Sequence, residues 1–167
     1  NWVTVKSDPA SNGLVYLVID GASNLNTVYW NGTAWTVHTE HDSAIDTNAR
    51  RAADFDWEPS GGKGLLVYGT TVGQITYETF TAPNTWGAPT SVTMKSGASN
   101  YIHPWVQLRR NTRNVNGDIK ILGAVLEGTA FDLGAIKWDG TTFTVIGAST
   151  FTTDTGLTTY ECFDMRF

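Results

Sequence analysis

Apolar and polar residues alternate with a period of two along most of the chain, and no stretch holds apolar residues at helical spacing. Alternation sends successive side chains to opposite faces of a strand, so the pattern predicts strands joined by turns. Trp2-Val3-Thr4-Val5-Lys6, the turn formers from Ser7 to Gly13, and Leu14 to Asp20 read as one hairpin. Thr27 to Trp30 and Thr33 to Val37 read as a second, joined through Asn31-Gly32. A type I′ turn needs positive φ at both central positions, and Asn-Gly accommodates this best.

The layout recurs. Phe55 to Glu58, Gly64 to Tyr68, Gln74 to Phe80 and a strand around Trp86 form a second set; Trp105 to Leu108, a turn ending Asn116-Gly117, then Asp118 to Leu126, Phe131 to Trp138 and Phe143 to Ile146 form a third. The pattern predicts an all-β chain of three four-stranded antiparallel sheets, propeller-like or stacked, with an extra C-terminal strand at Cys162 to Phe167. As one domain it divides into sheet units at about 2–54, 55–104 and 105–162, with 163–167 starting another.

An internal repeat supports this division. Trp30 to Val37 aligns with Trp138 to Val145 at a spacing of 108 residues, and Asp46-Thr47 and Phe55-Asp56 fall on Asp154-Thr155 and Phe163-Asp164 at the same spacing. Upstream, Trp2-Val3 aligns with Trp105-Val106 at a spacing of 103 residues. Asn31-Gly32 and Asp139-Gly140 are thus matched hairpin turns, and the repeating unit is a pair of related sheets. A terminal strand without a hairpin partner is a template for pairing, so Trp2 and Val3 at one end and Phe163, Met165 and Phe167 at the other are expected to mediate assembly.

Only 16% of the residues are charged while 12% are aromatic, and the net charge is −5. Phosphate would be repelled, so nucleic acid is not an expected partner, and no apolar run reaches membrane-spanning length. The single Cys162 cannot close an internal disulfide. Few Lys among many Thr, Ser, Asn and Gly, and a sequon at Asn31-Gly32-Thr33, lean toward an extracellular or cell-surface location.

Tyr29-Trp30-Asn31-Gly32-Thr33-Ala34-Trp35 and Lys137-Trp138-Asp139-Gly140-Thr141-Thr142-Phe143 resemble the W-D-G-T-x-W repeats of large secreted bacterial and archaeal surface proteins. The resemblance covers nearly the whole chain. It implies an extracellular, propeller-like β-repeat, sometimes associated with pili, with no catalytic residue to carry over. The middle set departs from it, with Thr81-Ala82-Pro83-Asn84-Thr85-Trp86 in place of the turn.

The candidate chemistry is sparse. His38-Thr39-Glu40-His41-Asp42 holds metal-type ligands but no helix or facing strands to fix them, and reads as a polar loop. Asp54, Asp56 and Glu58, with Asp164 matched to Asp56, could pair as acid and base, yet a repeating Asp on equivalent strands reads better as an acceptor for backbone N–H groups. Thr152 to Thr158 resembles an Asp-box turn lacking its closing aromatic, and Gly61-Gly62-Lys63-Gly64 lacks the helix of a phosphate loop. The Trp residues, Trp2, Trp30, Trp35, Trp57, Trp86, Trp105 and Trp138, read mainly as inter-sheet core, and Arg50-Arg51 and Arg109-Arg110 as ion-pair or rim groups. No catalytic, metal or cofactor site is expected. The sequence points to a non-enzymatic structural or adhesion module that associates with itself or with other subunits of a surface filament; the alternatives are a glycan-binding propeller and, third, a glycosidase or sialidase-like enzyme.

Overall fold

The computed structural model describes residues 2–45, 50–70, 74–92, 104–113, 119–126, 133–146, 161 and 163–166. These residues form three antiparallel sheets and no helix. The first sheet runs in the order β1 (Trp2–Ser7), β2 (Leu14–Ile19), β3 (Leu25–Trp30), β4 (Thr39–Asp42). The second comprises β5 (Ala53–Trp57), β6 (Lys63–Gly69), β7 (Ile75–Thr81) and β8 (Thr85–Trp86), and a fifth short strand, β9 (Thr90–Val92), shares the outer edge of β7. The third runs β10 (Trp105–Arg110), β11 (Ile121–Leu126), β12 (Leu133–Trp138), β13 (Phe143–Ile146).

Burial explains the composition of each strand. In β6, Leu65 to Tyr68 are all buried because both faces of the second sheet are covered, which requires an unbroken apolar run. Leu66 and Tyr68 turn to the first sheet, joining Val15, Leu17, Leu25 and Tyr29 in one core; Leu65 and Val67 turn to the third, joining Val106, Leu108, Val125 and Ile136 in another. The strands of the first sheet alternate between buried and half-buried positions, as a sheet covered on one face does. Tyr29, Phe55, Trp57 and Phe80 meet edge-on or tilted at 5.3 to 6.3 Å in the first core, and the Trp57 indole donates to the Lys6 carbonyl at 2.9 Å.

Four details depart from the sequence expectation. Asn31-Gly32 is not the central pair of a type I′ turn. Only Gly32 has positive φ, at 100°, and the closing pair is Asn31 and Ala34, with Gly32-Thr33 between them. The Asn31 side-chain oxygen accepts from the N–H groups of Thr33 and Ala34, an Asx-type closure. Asp139-Gly140 repeats it, with Gly140 at 97° and Asp139 accepting from Thr141 and Thr142.

The second departure is that Thr33 to Val37 forms no full strand. Trp35 bridges Trp30, but the Thr36 hydroxyl takes the Tyr29 N–H at 3.1 Å in place of a ladder carbonyl, and the chain leaves the sheet. The ladder resumes as β4 with a register shift opposite Leu25 and Asn26, so Thr39 to Asp42 is strand and not loop. Finally, Phe163 to Arg166 lies beside β10 without ladder pairing of its own. Cys162, Phe167, Asn116-Gly117, Asp46-Thr47 and Thr152 to Thr158 lie outside the described residues.

Candidate functional site

β5 brings Asp54, Asp56 and Glu58 to one face, turned toward the third sheet. Asp54 accepts the N–H of Phe55 on one oxygen at 2.9 Å and that of Leu108 on the other at 2.8 Å. Asp56 does the same with Trp57 and Arg110, both at 2.9 Å. Together with the Arg51 carbonyl, which takes the Val106 N–H at 2.8 Å, these groups occupy every second N–H along the free edge of β10. Each Asp therefore satisfies the edges of two neighbouring sheets at once, which an open edge requires. Lys6 at 3.2 Å and Arg109 at 3.6 Å balance the buried charge of Asp54, while burial holds the Asp56 carboxyl above its ordinary range. Glu58 accepts from the Trp138 indole at 3.2 Å and lies 3.4 Å from the Lys120 ammonium. All three carboxylates are thus acceptors between sheets, with their oxygens committed.

A second group lies between the first and second sheets. The His41 side chain, on β4, is fully buried and bridges the Thr27 hydroxyl at 2.8 Å and Glu78 at 2.9 Å. Tyr68 donates to the other Glu78 oxygen at 2.9 Å, and burial, reinforced by the Glu78 charge, pushes its phenol pKa far up. His38 and Glu40 face solvent, so the sequence cluster is split, and among the described residues no group of three or more His, Cys, Asp or Glu is placed to hold a metal. Glu78 and Tyr68 were not singled out from sequence. The available signal was an ionisable Glu on the core side of the apolar strand Ile75–Thr81.

Where β1, β5 and β10 converge, Lys6, Arg109, Arg110 and Arg166 line a cleft of about 450 Å³ with Asp56 at its floor. Most of this charge is internally paired: Arg109 and Arg166 approach Asp164 at 3.8 and 3.1 Å, and Arg110 donates to the Ser7 carbonyl at 3.3 Å. Arg51 pairs with Glu161 and donates to the Val106 carbonyl.

The expected assembly strands border one cleft, through Val5, Lys6 and Ser7 of β1 and through Met165 and Arg166. Trp2 packs against the first core, whereas Val3 and Val5 on the opposite face are 51% and 52% exposed. Phe163 and Met165 line an apolar cleft against Leu122, Ala124, Leu133 and Ala135, on the face of the third sheet turned away from the second. On that side Gln107 donates to Asp164 at 3.0 Å while its buried side-chain oxygen has no partner among the described residues. Of the Trp residues, Trp57 and Trp138 are core, and Trp35 is 54% exposed.

Compared with known proteins, the chain matches no family model and no curated protein.

Proposed function

We propose that the chain is a non-enzymatic structural module of an extracellular surface assembly, associating through uncovered sheet faces and edges. The observation that carries this reading is the outer face of the first sheet. Val3, Val5, Tyr16, Val28 and Trp35 share it; Val3, Val5 and Trp35 are exposed, and Tyr16 and Val28 are half-buried. A contiguous apolar face of this kind marks an interaction surface. The commitment of Asp54, Asp56 and Glu58 to backbone and indole donors supports a structural role over acid-base catalysis. A lectin reading would be favoured by an exposed aromatic recurring in each sheet. Trp35 is exposed, but its repeat counterpart Phe143 stacks on Tyr77 at 5.1 Å.

Sedimentation velocity across a range of concentrations tests the proposal. Mass rising with concentration is the expected result. A monomer at every concentration overturns it.

A further inference from the structure

The edges of β1 and β10 are equivalent under the internal repeat, at a spacing of 103 residues, so Val3, Val5 and Ser7 correspond to Val106, Leu108 and Arg110. The Asp8 N–H donates to the Gly13 carbonyl at 2.8 Å, and the β1–β2 register continues from that pair through Lys6–Val15 and Thr4–Leu17. In an antiparallel ladder every second residue then turns its N–H and carbonyl away from the partner strand, and on β1 these residues are Val3, Val5 and Ser7. On β10 the outward N–H groups are filled: that of Val106 by the Arg51 carbonyl, and those of Leu108 and Arg110 by the carboxylates of Asp54 and Asp56. On β1 the N–H groups of Val5 and Ser7 have no acceptor among the described residues.

The cleft that this edge borders is short of one negative charge. Lys6 pairs with Asp54, Arg109 reaches both Asp54 and Asp164, and Arg166 pairs with Asp164. Asp56 has its oxygens on the N–H groups of Trp57 and Arg110. Of the cations lining the cleft, the Arg110 guanidinium is the one without a carboxylate partner among the described residues. It donates to the Ser7 carbonyl at 3.3 Å, which puts it on the same outward edge as the open Ser7 N–H.

We propose that this cleft binds a carboxylate, which accepts the Ser7 N–H and pairs with the Arg110 guanidinium, as Asp56 accepts the N–H of Arg110 within the chain. Two donors converging from a guanidinium and a backbone amide suit the two oxygens of a carboxylate, and the bond to the guanidinium is charge-assisted. At about 450 Å³ the cleft has room for the carbon skeleton that carries the acid, with Val5 and Met165 as its apolar contacts. The carboxylate belongs either to a small acid or to an Asp or Glu side chain of a neighbouring subunit, and the recognition chemistry is the same for both.

Sodium acetate is the probe, titrated into isotope-labelled protein and compared by NMR with sodium chloride at equal ionic strength. The Ser7 amide and the Arg110 Nε–H should shift saturably with acetate and not with chloride. Arg110→Gln and Ser7→Pro each remove one donor and should weaken acetate binding at least tenfold; proline is compatible with that position because its N–H lies outside the ladder. Ser7→Ala keeps the N–H and should bind as the wild type does. Arg110→Met replaces either weakened variant that loses its near-UV circular dichroism. Equal shifts in acetate and chloride, or acetate shifts that survive the loss of the guanidinium, overturn the site. Where acetate binds, sedimentation velocity identifies the source: mass that falls as the site fills assigns the cleft to a neighbouring subunit's side chain, and unchanged mass assigns it to a small acid. A wild type that is monomeric throughout defeats the assembly reading and not this site, which the acetate shifts decide.

Discussion

Asp54 accepts the backbone N–H of Leu108 at 2.8 Å across the boundary between two sheets, while its other oxygen holds the N–H of Phe55 in its own strand. The side chain is 2% exposed, so both donors would be stranded without it. Asp54→Ala leaves two buried N–H groups and the Lys6 ammonium without their acceptor, and is expected to cost about 2–4 kcal/mol. Asp54→Asn keeps one acceptor oxygen and should cost less. Urea denaturation of the two variants checks both the size and the order.

Asp56 gives the fold a pH dependence of a definite sign. Burial raises its carboxyl above the ordinary 3.8, so the folded state favours the protonated form. Its contribution to stability is therefore fully present below 3.8 and is lost as pH rises through the raised value. Asp56→Asn should remove that falling component from a plot of unfolding free energy against pH; a curve parallel to the wild type would refute the assignment.

Asp139 behaves in the opposite sense. The N–H groups of Thr142 and Thr141, with the Thr142 hydroxyl, stabilise its carboxylate and hold its pKa below 3.8. The turn's contribution is present above 3.8 and lost as pH falls through the lowered value. In an NMR titration the Thr141 and Thr142 amides should report that lowered midpoint, and Asp139→Asn should abolish the transition.

His41 ties the edge of the first sheet to the second through Glu78, with side-chain exposures of 0% and 6%. His41→Ala leaves one buried Glu78 oxygen and the Thr27 hydroxyl without their partner and should cost about 3 kcal/mol, whereas Tyr68→Phe, which leaves the His41 bond to Glu78 in place, should cost about 1–2 kcal/mol. Thermal unfolding of both variants tests the ranking; equal losses would mean that the His41 contact carries nothing beyond one hydrogen bond.

Much of the fold was legible because strand period and turn chemistry are local. Leu14 to Ile19 and Leu65 to Tyr68 are both unbroken apolar runs that read as strands, and the first lies in a sheet covered on one face while the second lies in one covered on both. The reading of Asp56 as a backbone acceptor followed from its repeat at Asp164, and the structure places both Asp56 and Asp54 so. What escaped depends on contacts distant in sequence. The Thr36 hydroxyl displaces the ladder at Tyr29 and delays β4, and only then does His41 arrive opposite Glu78. Nothing local distinguishes that histidine from the exposed His38. The outer face of the first sheet could not be separated from a buried one by pattern alone, since Val28, half-buried, and Ile136, buried, occupy the same repeat position.

Site-resolved amide hydrogen exchange at the two equivalent edges tests most directly whether the β1 edge awaits the partner that β10 already has. Val106, Leu108 and Arg110 should be protected at every concentration, because Arg51, Asp54 and Asp56 hold them within one chain. Val3, Val5 and Ser7 should exchange rapidly in dilute solution and slow at least tenfold as the protein is concentrated. Fast exchange of those three amides at all concentrations, in a sample whose mass is rising, would contradict it.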